Sequence, residues 1–99
     1  MGCGPAQAAA KAAGVDLASQ AVIQGTVIRA DQPVKGAYVR LLDAWGEFTA
    51  EVPTGEHGDF RFFARGGTWL VRVLAPGANP TEVTVSAELG TISEVDITL

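Results

Sequence analysis

The stretch Asp59-Phe60-Arg61-Phe62-Phe63, then Gly66-Gly67, then Thr68-Trp69-Leu70-Val71-Arg72-Val73-Leu74 decides the fold. In both halves large apolar residues recur at every second position, the period of a strand that buries one face. Phe60/Phe62 and Trp69/Val71/Val73 form the inward set, and Gly66-Gly67 turns one strand into the next.

The same period continues on either side. Ile23, Gly25 and Val27 alternate with Gln24 and Thr26, and Asp31-Gln32-Pro33 with Gly36 supplies turn chemistry. Ala37–Leu42 reads as a second strand, closed by Asp43 and Gly46. Phe48–Val52 is a weaker third, ended by Pro53 and the loop 54–58. Beyond the deciding stretch, Pro76-Gly77-Ala78-Asn79-Pro80 breaks the chain, and Val83/Val85 and Val95/Ile97/Leu99 mark two last strands around Gly90. Seven short strands with such punctuation predict an all-β Greek-key sandwich over residues 21–99. Its expected core is Ile23, Val27, Val39, Leu41, Phe60, Phe62, Trp69, Val71, Val73, Val83, Val85, Val95 and Ile97.

Residues 1–20 differ in kind. Gly2, Gly4 and Pro5 oppose regular structure, and Ala6–Ala13 is too short for a stable isolated helix. A flexible Gly/Ala-rich arm is expected there.

Composition narrows the function classes. With 99 residues, 47% hydrophobic and 18% charged, the chain suits one globular domain. A net charge of -4 with only 7 Lys and Arg argues against nucleic acid, which demands clustered cations. One cysteine forms no internal disulfide. No apolar run reaches the ~18–20 residues of a membrane helix, and Ala6–Ala13 lacks a basic n-region and is interrupted by Lys11. The expectation is a soluble cytoplasmic protein, bound to neither membrane nor nucleic acid, with no cofactor.

The runs Val22-Ile23-Gln24-Gly25-Thr26-Val27, Gly36-Ala37-Tyr38-Val39, Gly58-Asp59-Phe60-Arg61-Phe62 and Gly67-Thr68-Trp69-Leu70-Val71 resemble the carboxypeptidase regulatory-like domain. That resemblance implies a transthyretin-like (prealbumin-like) sandwich. A narrower likeness lies in Cys3-Gly4-Pro5, Val39-Arg40-Leu41-Leu42-Asp43, Glu47–Val52 and Gly58–Ala64. These segments resemble the actinobacterial SseC-like family, small proteins of unknown biochemical activity encoded beside a thiosulfate sulfurtransferase (rhodanese). The resemblance implies a role in sulfur metabolism, with the sulfurtransferase as partner. In that family the cysteine often follows the initiator Met directly, so Gly2 is a departure, and chemistry that needs only a thiol is favoured over chemistry that needs an α-amino thiol.

Cys3 is the candidate sulfur carrier, because a thiolate on a mobile tip can attack sulfane sulfur held by another protein. The bland alternative is an ordinary cysteine in a tail. His57, the only histidine, lies in an acidic loop and falls short of the three or four ligands of a zinc site. No Ser-His-Asp arrangement can be built from it. The transthyretin-like hydrolases of purine breakdown use several histidines and a C-terminal tetrapeptide, both absent from this sequence, and no enzymatic activity is expected.

Strand alternation turns Tyr38, Arg40, Leu42, Arg61, Phe63, Leu70, Arg72 and Leu74 outward. Large apolar groups mixed with arginines resemble an interface. A homodimer face, a docking face for a partner protein, and a shelf covered by residues 6–20 compete as explanations. A non-catalytic binding or scaffolding module is the rival to the sulfur-carrier reading.

Overall fold

The computed structural model describes residues 20–99, and the expected arm, with Cys3, lies outside them. Eight strands follow one another: β1 (Ala21–Arg29), β2 (Gln32–Pro33), β3 (Tyr38–Asp43), β4 (Phe48–Pro53), β5 (Asp59–Ala64), β6 (Gly67–Leu74), β7 (Thr81–Ala87) and β8 (Ile92–Thr98). Seven are the expected ones. The eighth, β2, occupies what was expected to be pure turn. Its two residues pair with Ile28 and Arg29 through a hairpin whose loop residues Ala30 and Asp31 both have positive φ (52° and 63°). Such a loop matches the natural twist of paired strands, at a cost in backbone strain for Ala30.

The strands form two sheets. In sheet I, β1 is central: it pairs in parallel with β8 on one edge and antiparallel with β5, then β2, on the other. Sheet II is antiparallel, in the order β4-β3-β6-β7. Stacking these sheets gives the Greek-key sandwich that the alternation predicts, of the transthyretin-like form that the resemblance implies.

The core lies between the sheets. Ile23, Val27 and Ile97 from sheet I meet Val39, Leu41, Trp69, Val71 and Val73 from sheet II, with Phe60 and Phe62 filling the space from β5. Val83 and Val95, expected in the core, are half-buried and pack against it. Both come from strands at a sheet edge, where one flank stays open. Ala21, Ala37 and Ala87 join the core at strand ends, where a methyl is all the space admits.

Two close approaches fix the packing. Gly25 faces inward beneath the Phe60 ring, and a Cβ there would overlap the Val95 carbonyl of the parallel neighbour β8. Thr54 is the buried polar residue of the described body. Its hydroxyl donates to the Val34 carbonyl (2.6 Å) and accepts from the Ala37 N–H (2.9 Å), closing the β4–β5 loop onto the entry to β3.

Candidate functional site

The outward residues do not form one patch. Tyr38, Arg40, Leu42, Leu70, Arg72 and Leu74 share the outer face of sheet II, whereas Arg61 and Phe63 lie on the outer face of sheet I. The expectation of a single face is therefore corrected: β5 pairs with β1 and takes its outward residues to the opposite side of the sandwich. A second correction concerns Leu42, which is only 3% exposed although it points away from the core. Its register partners Phe48 and Leu70 flank it on both sides.

On sheet II a row of four charges crosses the face. Arg40 donates from Nε and Nη2 to Glu51 (3.0 and 2.9 Å), and Arg72 does the same to Glu82 (3.1 and 2.8 Å). Register explains the pairing: Arg40 stands opposite Glu51 and Arg72, and Arg72 opposite Glu82, in one outward row. Two arginines side by side would repel, and each is neutralised from its outer flank. The face is thereby left without net charge in its middle.

Around that row stand exposed aromatics. Tyr38 is 52% exposed, Phe48 61% and Trp45 83%. The Arg40 guanidinium lies 5.8 Å from the centre of the Phe48 ring, tying the charged row to the apolar end. Trp45 projects from the β3–β4 turn, which is stiff. The Asp43 carboxylate Oδ1 accepts from the N–H groups of Trp45 and Glu47 (both 2.9 Å). The Asp43 N–H donates to the Glu47 carbonyl and the Gly46 N–H to the Asp43 carbonyl (both 2.9 Å). Gly46 supplies the positive φ (85°) that closes this turn. The backbone that carries this ring is already ordered before any binding, which lowers the entropy cost of docking. Sequence reasoning missed Trp45 and Phe48. The available signal was an aromatic inside an Asp43–Gly46 turn, where tips are solvent-exposed.

The outer face of sheet I is organised differently. At its start Val22 is sealed between Phe63 and Ile92, its partners on β5 and β8. Next comes a polar relay, with Arg61 Nε donating to Gln24 Oε1 (2.9 Å) and Gln24 Nε2 to Glu94 Oε2 (2.6 Å). An open cleft of about 480 Å³ adjoins this relay, lined by Thr26, Val52, Pro53, Asp59 and Arg61 among others. Of its polar groups, Arg61, Gln24 and Glu94 bond to one another. His57 is exposed in the loop ahead of β5, as its acidic surroundings suggested. Among the described residues no three His, Cys, Asp or Glu side chains gather to hold a metal ion. Nor is any described helix long and apolar enough to cross a membrane.

Comparison with solved structures places the fold in a broad class of bacterial β-sandwich domains. The chain is similar to the minor pilin GBS52 of Streptococcus agalactiae (TM-score 0.70, 15% identity, 81% of this chain and 44% of that one). It is also similar to the TIE protein of Bacillus anthracis (TM-score 0.71, 14% identity, 81% and 17%). Chlorocatechol 1,2-dioxygenase from Pseudomonas putida matches over 86% of this chain and 61% of that one (TM-score 0.64, 13% identity). At these identities the likeness shows the fold alone. The chain belongs to the family described as protein of unknown function (DUF1416), which matches residues 3–99. An uncharacterized protein of Mycolicibacterium smegmatis is 52% identical over 86 residues, covering 86% of this chain and 94% of its own. Two uncharacterized proteins of Mycobacterium tuberculosis, Rv0814c and Rv3118, are each 47% identical over 95 residues, covering 95% of this chain and 94% of theirs.

Proposed function

We propose that this protein is a non-enzymatic cytoplasmic accessory of sulfur metabolism, docking through the outer face of sheet II on a thiosulfate sulfurtransferase and offering Cys3 to its sulfane sulfur. One observation carries the docking role: Tyr38, Trp45 and Phe48 stand exposed around a row whose arginines are already neutralised. Aromatic anchors with little unpaired charge are the composition of interface centres. The sulfurtransferase as partner, and Cys3 as acceptor, rest on the resemblance of the sequence to the SseC-like family. Cys3 falls within the span matched by the family.

The transfer step balances without an external oxidant. The Cys3 thiolate attacks the terminal sulfur of the donor enzyme's persulfide, and a new S–S bond forms at Cys3 as the donor's S–S bond breaks. The donor cysteine leaves as its thiolate. One sulfur atom moves and the charge is conserved.

Intact-protein mass spectrometry after incubation with thiosulfate and a rhodanese tests both parts. The wild type gains one sulfur, reversibly with a thiol reductant; Cys3→Ser gains none; and Trp45→Ala/Phe48→Ala gains it more slowly. No gain in any protein overturns the carrier role. A gain that the aromatic variant leaves unchanged overturns docking through sheet II. Rhodanese binding that survives in Cys3→Ser without any sulfur gain by the wild type supports the rival reading, a scaffolding module that works by binding alone.

A further inference from the structure

Among the described residues, only one edge of β8, the one facing β1, is paired. The Leu99 N–H donates to the Ile28 carbonyl (2.8 Å) and the Val22 N–H to the Thr91 carbonyl (3.1 Å). In a parallel ladder this phase commits the odd-numbered residues of β8 to β1. The N–H and C=O groups of Ile92, Glu94, Asp96 and Thr98 then point away from the sheet. Among the described residues no strand pairs with that side of β8. On the other edges some backbone groups are already taken or interrupted. Pro53 and a register shift interrupt β4, the Gly55 N–H occupies the Asp59 carbonyl at the start of β5 (3.0 Å), and the Ser93 hydroxyl occupies the Ser86 carbonyl on β7 (3.1 Å).

The side chains of the same four residues are all exposed, and the middle two are acidic. Glu94 bonds to Gln24, and among the described residues no Lys or Arg forms an ion pair with Glu94 or Asp96. This pattern selects the occupant. A second copy added antiparallel about Val95 would set Glu94 opposite Asp96 twice over, and like charges directly opposite destabilise a strand pair. A strand with cations at alternate positions would satisfy both carboxylates and the free backbone groups together.

We propose that the free edge of β8 is a strand-addition site for an extended basic segment of a partner protein. The site is separate from the sheet II face and does not depend on sulfur chemistry.

The test uses the full chain, ¹⁵N-labelled, with a capped peptide alternating lysine and valine, beside its glutamate–valine counterpart. The lysine peptide binds at low salt and slows amide exchange at Ile92, Glu94, Asp96 and Thr98, leaving Ser93, Val95 and Ile97 as they were. The glutamate peptide does not bind. Glu94→Lys/Asp96→Lys reverses this preference. The near-isosteric Glu94→Gln/Asp96→Asn weakens the lysine peptide about tenfold, the equivalent of ~1.4 kcal/mol, and serves if the charge-reversed chain does not fold. Slow exchange at the four amides before any peptide is added would mean that the edge is already occupied, and would overturn the proposal. So would equal binding of both peptides, or lysine-peptide binding that spreads over the acidic surface without protecting alternate amides.

Discussion

The two outer faces of the sandwich each bury one aliphatic side chain between apolar register partners, Val22 on sheet I and Leu42 on sheet II. They differ in how they dispose of charge. Sheet II pairs each arginine with a glutamate in the same row and surrounds the pairs with exposed rings. Sheet I links Arg61 through Gln24 to Glu94 and leaves Asp96 on an edge strand without an ion pair among the described residues. The first face offers apolar contact that salt should hardly weaken. The second offers oriented charge, which salt screens. One small domain thus carries two surfaces of contrasting chemistry.

The sharpest way to break the comparison is to remove one sheet's integrity. Gly25→Ala places a methyl against the Val95 backbone carbonyl and the Phe60 ring, in the central strand of sheet I. Neither neighbour is a flexible side-chain end, so β1 and β8 must separate. The expected cost is about 3 kcal/mol or more, the upper end of overpacking. Thermal denaturation checks it, and a wild-type midpoint would mean that β1 and β8 are not packed this closely.

An effect of similar size is expected from Leu42→Ala. If Phe48 and Leu70 truly close over this side chain, truncation costs about 2–5 kcal/mol, as in a core. If Leu42 is merely a surface leucine, the change stays within about 0.5 kcal/mol. Denaturant titration separates these outcomes. The result bears on function, because a loosened Phe48 would also degrade the docking face.

The sequence made the core legible and the outer faces much less so. Alternation in β1, β3, β5 and β6 identified the inward residues because a strand's period is fixed and both sheets contribute to one interior. It failed at Val22 and Leu42, since burial on an outward face depends on which residues stand opposite on two neighbouring strands. Register of that kind is a long-range fact. Alternation also grouped Arg61 and Phe63 with Arg40 and Leu70 as outward residues, because it distinguishes inward from outward without saying which sheet a strand joins. Trp45 escaped attention for another reason: a turn residue has no period at all, and its place at the turn tip comes from backbone hydrogen bonds to Asp43. Cys3 remains a reading of sequence, outside the described residues.

The smallest expected change sharpens what the arginine pairs are for. Arg72 and Glu82 are each 40% exposed in their side chains, so water and salt screen their attraction. Arg72→Gln should therefore cost less than about 1 kcal/mol of stability, although two of its nitrogens donate to one Glu82 oxygen. Docking should respond more. With Arg72 gone, Glu82 puts an uncompensated negative charge beside Leu70 and Leu74, and any partner that covers the row must desolvate it. Measured together, an unchanged midpoint with weaker rhodanese binding assigns the pairs to the surface's neutrality. A midpoint that falls with binding intact assigns them to holding β3, β6 and β7 in register, and the face would then owe its character to the aromatic rings alone.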